Sequence, residues 1–287
     1  MRVAQYKILN NLFSKFTIPD YIYAFEKNKS IPRMAQIHTG KKVVISVDIK
    51  DFFHSIKQDM IHEMLVDHGM GDKAARTVSE LCTYKAFVPQ GALTSPKVAN
   101  MITAMTFGPE IQQYCRNNGL VLSIYADDVT ISSTNPALNV SEVLTFVTST
   151  IRNHGFRINH EKTKVMWDTT RQYVCGVVVN QKTNLMKRER YKLRAIVHNI
   201  QKNGVENEAK KSGEEPGHFA SHIMGRLNWF KQLNLPLGDK YMKQLQDYLA
   251  SRPSVITGPS TPTTVTAIPA SAAIGATANP TLVETPW

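Results

Sequence analysis

Two adjacent carboxylates at a tight turn are the residues in this sequence best placed to do chemistry. Val121-Leu122-Ser123-Ile124-Tyr125 and Val129-Thr130-Ile131-Ser132 read as strands, and only Ala126, Asp127 and Asp128 separate them. That spacing predicts a hairpin with both acids at its tip. At about 4 Å and an effective dielectric near ~20, their mutual repulsion is on the order of 4 kcal/mol. A cation relieves it, and Mg²⁺ is held by one or two carboxylates together with substrate phosphates. A third acid, Asp48, ends the β-branched run Val43-Val44-Ile45-Ser46-Val47, and only the fold can bring it to the other two. The plain alternative is a turn filler, because Asp is common in turns.

The elements that must position these acids belong to a mixed chain. After the Asp48 run, Ile61, Met64 and Leu65 repeat at helical spacing. From residue 187 the pattern turns helical. Leu193, Ile196, Val197 and Ile200 form one apolar stripe, Phe219, Ile223, Leu227 and Phe230 a second, and Tyr241, Leu245 and Leu249 a third. Tyr191 and Trp229 are expected to pack on these apolar faces, and the polar stretch 202–217 to loop out. Mixed strands and helices followed by a helical segment predict an α+β body with an all-helical appendage. Residues 253–287 are mostly Pro, Thr, Ala, Ser and Gly, with Glu284 as their one charge, which predicts a flexible tail.

Of 287 residues, 34 are Lys or Arg and 23 Asp or Glu, for a net charge of +11, and 42% are hydrophobic. That balance excludes a wholly disordered or collagen-like chain and favours a polyanionic partner, nucleic acid first. No apolar run approaches the ~18 residues of a membrane helix, so no membrane partner is expected. Cys82, Cys115 and Cys175 make no CxxC pair, which suits a reducing cytoplasm better than a disulfide framework or a zinc site.

The residues around the acids carry a resemblance. Tyr125-Ala126-Asp127-Asp128 is the YADD form of the reverse transcriptase active-site signature. Residues 47–56, VDIKDFFHSI, resemble that family's first catalytic motif, and residues 88–96, VPQGALTSP, resemble its PQG…SP motif. Gly155-Phe156-Arg157-Ile158-Asn159 with Lys162-Thr163 looks like its lysine-bearing motif. Val174-Cys175-Gly176 is similar to the VTG element of bacterial retron enzymes, with Cys in place of Thr. Ala35 and His38 match their NAxxH element, while Met34 stands where Asn is usual. The resemblance covers residues 5 to 250 and favours a retron type over group II intron relatives. The chain begins at a stretch that resembles the end of the family's fingers segment, which implies a start assigned late, a truncated chain or a reduced grip on the incoming triphosphate.

The resemblance implies a right-hand polymerase, with partial fingers and an antiparallel palm at 1–186 and a helical thumb at 187–252, followed by the tail at 253–287. Asp48, Asp127 and Asp128 would be catalytic and hold two Mg²⁺ ions, with the Ile49 carbonyl as a further oxygen ligand. The dNTP would meet Asp51 and Phe52 through their amides, Phe53 as an aromatic gate under the sugar, Gln90, Gly91 and Lys162. RNA and primer would meet Tyr125, Cys175, Gly176 and the basic residues Lys187, Arg188, Arg190, Lys192 and Arg194. His38 is expected to be structural, its family role lying in recognition of the retron RNA. The implied partners are a cognate non-coding RNA, its branched RNA–DNA product and a separate effector protein in antiviral defence. Two rival readings are an RNA-binding scaffold that sequesters an effector with little DNA synthesis, and an RNA-templated RNA polymerase, against which Phe53 argues.

Overall fold

The computed structural model describes residues 1–252, and the expected tail at 253–287 lies outside the described residues. The chain divides into two compact units, the first Met1–Asn184 and the second beginning at Leu185. The first opens with α1 (Arg2–Asn11) and α2 (Ile31–Ile37), followed by β1 (Val43–Lys50). Then come α3 (Phe52–Ser55), α4 (Gln58–Asp67), α5 (Asp72–Cys82), α6 (Ser95–Met105) and α7 (Phe107–Asn117). The hairpin β2 (Val121–Tyr125) and β3 (Asp128–Ser133) leads to α8 (Val140–Asn153) and the long strand β4 (Arg157–Trp167). A small hairpin of β5 (Tyr173–Val174) and β6 (Val177–Val178) completes the unit.

Strand order in the main sheet is β2-β3-β1-β4, antiparallel throughout. β1 is apolar because it is interior: Val43, Val44, Ile45, Val47 and Ile49 are all buried. It continues past Asp48 to Lys50, so that acid lies within the strand and not at its end. Asp51 then takes φ +51°, the left-handed region, and turns the chain into α3. Alternation gives the sheet two unlike faces. Ile45, Val47, Ile49, Val129, Ile131, Leu122 and Ile124 lie on one and join the main core with Phe52, Phe107 and Phe156. The other carries Ser46, Asp48, Asp128, Thr130, Ser132 and Ser123.

The second unit is helical: α9 (Lys187–Asn203), α10 (Val205–Ser212), α11 (Pro216–Leu233) and α12 (Leu235–Ala250). Its own core gathers the three expected stripes, Leu193, Val197 and Ile200 with Phe219, Ile223, Leu227, Phe230, Leu245 and Leu249. The stretch 202–217 corrects the sequence expectation, because it holds α10 rather than a loop. Val205, Glu208 and Ala209 are buried at helical spacing, and Gly204 and Gly213, both at positive φ, bound the helix. No helix among the described residues is long and apolar enough to cross a membrane.

Candidate active site

The polar face of the sheet can be followed row by row. Asp48 on β1 stands directly opposite Asp128 on β3, and Tyr125 on β2 is the partner of Asp128 on its other side. The next row is Ser46, Thr130 and Ser123. Asp127 occupies the two-residue turn with Ala126, whose φ is +53°, the positive value that a tight hairpin needs at this position. The Asp127 carbonyl accepts from the Ile49 amide at 2.8 Å, which ties the turn to β1. The three acids expected from separate motifs therefore share one end of one sheet.

Each carboxylate has a different environment. Asp128 Oδ1 accepts from the Ser46 hydroxyl at 2.9 Å and from the Thr130 hydroxyl at 3.3 Å. Its Oδ2 faces the Cys175 thiol at 3.8 Å. Burial pushes the Asp128 carboxyl above its usual range, with Asp127 and Asp48 adding to the rise and the hydroxyls opposing it. Burial likewise raises Asp127; Asp48 adds to that, and Lys162 works against it. Lys162 Nζ lies 3.7 Å from Asp48. It arrives there because the β1–β4 register shifts between Ser46 and Asp48: Ser46 pairs with Lys164 and Asp48 with Asn159, leaving 160–163 to bulge out opposite Val47. Bulges of this kind re-aim side chains beside active sites.

Among the described residues, no three His, Cys, Asp or Glu side chains close on a point where they alone would hold a metal ion. The donor set nevertheless fits Mg²⁺. Asp48 and Asp127 are adjacent, oxygen-bearing and mutually repelling, and this ion completes its shell with substrate phosphate and water. Asp128, expected to support the metal beside that pair, is held from behind by Ser46, Thr130 and Cys175.

Phe52 and Phe53 separate as expected, for a different reason. The strand has ended, and on α3 Phe52 turns into the core against Phe156, with ring centroids 5.8 Å apart, while Phe53 stays half-buried. Phe53 lies 6.4 Å from Phe25, which in turn lies 6.2 Å from Tyr125. Asp51 ion-pairs with Arg157 at 3.1 Å. Gln90 and Gly91 are exposed on the loop before α6, with Gly91 at φ +87°, and Ser95 fixes that loop by donating to the Pro89 carbonyl at 2.6 Å.

Cys175 and Gly176 form the turn between β5 and β6, both at positive φ. Gly176 is exposed, and the Cys175 thiol points at Asp128. Burial, with Asp128 beside it, pushes that thiol upward. Ala35 and His38 are wholly buried. The His38 ring nitrogens pair with the Ser132 and Ser123 hydroxyls at 2.7 and 2.8 Å, pinning α2 onto the same sheet face across the two rows below the carboxylates. Neither residue reaches solvent.

On α9, Lys187, Arg188, Lys192 and Arg194 are exposed and Arg190 is half-buried. Tyr191 is exposed rather than packed, with Lys187 and Arg190 5.7 and 5.8 Å from its ring centre; Trp229 is half-buried. Ser46, Thr130 and Phe25 lie outside the motifs, and Arg157 lies within the lysine-bearing motif without having been singled out. For Ser46 and Thr130 a signal existed, since alternation puts them on the face of Asp48 and Asp128.

Residues 1–189 match the family described as reverse transcriptase (RNA-dependent DNA polymerase). The chain is 31% identical over 201 residues to the retron Ec86 reverse transcriptase of Escherichia coli, covering 70% of this chain and 62% of that protein. It is 29% identical over 252 residues to the retron Mx65 reverse transcriptase of Myxococcus xanthus, covering 82% and 56%. The chain thus spans about three-fifths of the length of these relatives. A telomerase from Candida albicans, solved in complex with a fragment of telomeric RNA, overlays 90% of this chain and 53% of its own at 10% identity and a TM-score of 0.49. The family assignment rests on the sequence matches and not on that overlay.

Proposed function

The chain belongs to the reverse transcriptase family and is of the bacterial retron type, and from that premise we propose that it copies a structured non-coding RNA into single-stranded DNA. The observation that supports this most is the gathering of Asp48, Asp127 and Asp128 at one end of the sheet, with Lys162 3.7 Å from Asp48.

Asp48 and Asp127 would hold Mg²⁺, with Asp128 supporting the pair through the sheet and the Ile49 carbonyl as a further donor. Held there, Mg²⁺ would supply charge neutralisation for an in-line phosphoryl displacement. Ser46 and Thr130 keep the Asp128 carboxylate in a single orientation. Lys162 balances the acids before substrate binds and meets the triphosphate when it does. Phe53 closes the space beside the sugar, so that a 2′-hydroxyl clashes with its ring. The Asp51 and Phe52 amides, Gln90 and Gly91 border the nucleotide. The second unit acts as a thumb, where the α9 cations hold duplex phosphates by a sequence-independent, salt-dependent attraction.

As a retron enzyme, the protein primes from a 2′-hydroxyl of its own RNA in the cytoplasm. It yields a branched product and serves antiviral defence with a separate effector. The test is extraction of small nucleic acid from cells expressing the chain with its flanking genomic RNA, beside an Asp127→Asn, Asp128→Asn control. A species that survives RNase, shifts in size on debranching and vanishes in the control is expected. Copurified RNA with no DNA in either sample would replace this reading with the scaffold one.

A further inference from the structure

Phe25 belongs to none of the motifs, yet its backbone is held where bulky residues rarely go. Its φ is +60° and its ring is 52% exposed, and for a large side chain such a φ is a genuine outlier. Both neighbours are tied down. The buried amide of Asn100 on α6 donates to the Ala24 carbonyl at 2.7 Å and to the Glu26 carboxylate at 3.0 Å. Lys97, on the same helix, pairs with Glu26 at 3.2 Å. Just upstream, the Tyr23 amide donates to the Ile124 carbonyl at 2.8 Å and the Ile124 amide to the Tyr21 carbonyl at 2.7 Å, so the segment runs alongside β2. Lys29 closes the loop by donating to the carbonyls of Pro19 and Ile22, each at 2.8 Å.

Strain that surrounding bonds over-determine gathers at functional sites. In this loop the anchoring aims one ring. The Phe25 centroid is 6.4 Å from Phe53 and 6.2 Å from Tyr125, both within the range of interacting aromatic pairs. Phe53 also neighbours the core, with Phe52 5.7 Å away. Its half-buried ring thus has one buried aromatic neighbour, Phe52, and one exposed one, Phe25. Without Phe25, Phe53 loses that exposed aromatic contact.

We propose that Phe25 is a positioning residue for sugar selection: its ring holds Phe53 in the orientation that excludes a ribose 2′-hydroxyl. The inference rests on Phe53 being the gate. A Phe53 free to swing would still bind a deoxynucleotide but would admit a ribonucleotide more readily.

The test compares kcat/KM for dNTP and NTP incorporation on one template–primer in wild type, F53A, F25G, F25Y and the F25G/F53A double variant. F25G is expected to lower the deoxy preference about two- to tenfold, the range that an aromatic pair contributes. Its melting temperature should hold or rise, because Gly accepts positive φ without penalty. F25Y should restore discrimination, and the double variant should discriminate no worse than F53A. Should F25G not fold, F25L, which keeps apolar bulk without a ring face, is read in the same way. An unchanged ratio in F25G, or losses that multiply in the double variant, overturns the proposal while F53A still relaxes selection. If F53A itself leaves selection unchanged, the gate and this inference fall together.

Discussion

The two units handle charge in opposite ways. In the first, three carboxylates crowd one end of a sheet, partly desolvated, each with its own partner: Lys162 for Asp48, its own backbone amide for Asp127, and two hydroxyls and a thiol for Asp128. In the second, α9 carries its cations into solvent, where Tyr191 is the nearest thing to a fixed contact for Lys187 and Arg190. Two charges at the same separation interact several times more strongly in a desolvated site than in water, and salt screens the exposed ones further. Position therefore matters in the first unit and number in the second. A single atom exchanged at the sheet should be decisive, whereas a whole side chain removed from α9 should cost little.

The sharpest way to break that contrast is Asp127→Asn. The substitution keeps the shape of the turn and removes one negative charge from the pair with Asp48. Loss of several kcal/mol of electrostatic stabilisation corresponds to a fall of about a thousandfold or more in single-turnover extension. Affinity for template–primer, measured by fluorescence anisotropy, should stay within a few-fold. A modest drop in extension would show that the carboxylate pair is not the centre of the chemistry.

What could be read in advance follows the same division. Asp127 and Asp128 were legible because a short turn between two strand-like runs is a local signal, whereas Asp48 joined them only through the motif that carries it. Lys162 was legible only as a motif position; its approach to Asp48 depends on four residues bulging opposite Val47, a matter of tertiary pairing. Phe25 left no trace because its positive φ is not marked by glycine and its restraints come from Asn100 and Lys97, far along the chain. Cys175 was legible only as a motif position; its approach to Asp128 is set by the sheet face that its turn covers. In the second unit, Gly204, Gly213 and Pro216 suggested a loop across 202–217, and they outweighed the helical spacing of Val205 and Ala209.

A smaller effect sharpens the idea that the sheet face is over-determined. His38 is buried between two serine hydroxyls, and burial, with Lys41 nearby, lowers its pKa from 6.5 to about 3. Below pH 6.5 the unfolded chain takes up a proton that the folded ring refuses until pH nears 3. Stability from this group is therefore intact above 6.5 and is lost progressively as pH falls through that window. Between pH 7 and pH 5 the loss is about 2 kcal/mol. Asp127 and Asp128, with raised carboxyls, act in the opposite sense, so the comparison must be with His38→Gln and not with a calculated curve. Urea unfolding at the two pH values should show a wild-type decline that the variant lacks. Equal slopes would mean that His38 is not held neutral and that α2 is not pinned in this way.

The smallest effects belong to α9, and here sameness is the prediction. Arg188, Lys192 and Arg194 are each exposed, and no hydrogen bond or ion pair of the described residues fixes their heads in one orientation. Arg226 and Glu189 are different, since they hold each other at 2.7 Å and belong to the framework of the unit. Replacing any one of the three exposed cations by Ala should weaken template–primer binding only a few-fold, across all sequences alike. The slope of log affinity against log salt should shrink by about 1 for each charge lost. Removing two should roughly double the change in slope, whichever two are chosen. If one position dominates, or if its loss weakens one RNA sequence far more than another, then α9 holds a specific contact. The division between a unit governed by position and a unit governed by number would then fail at that residue.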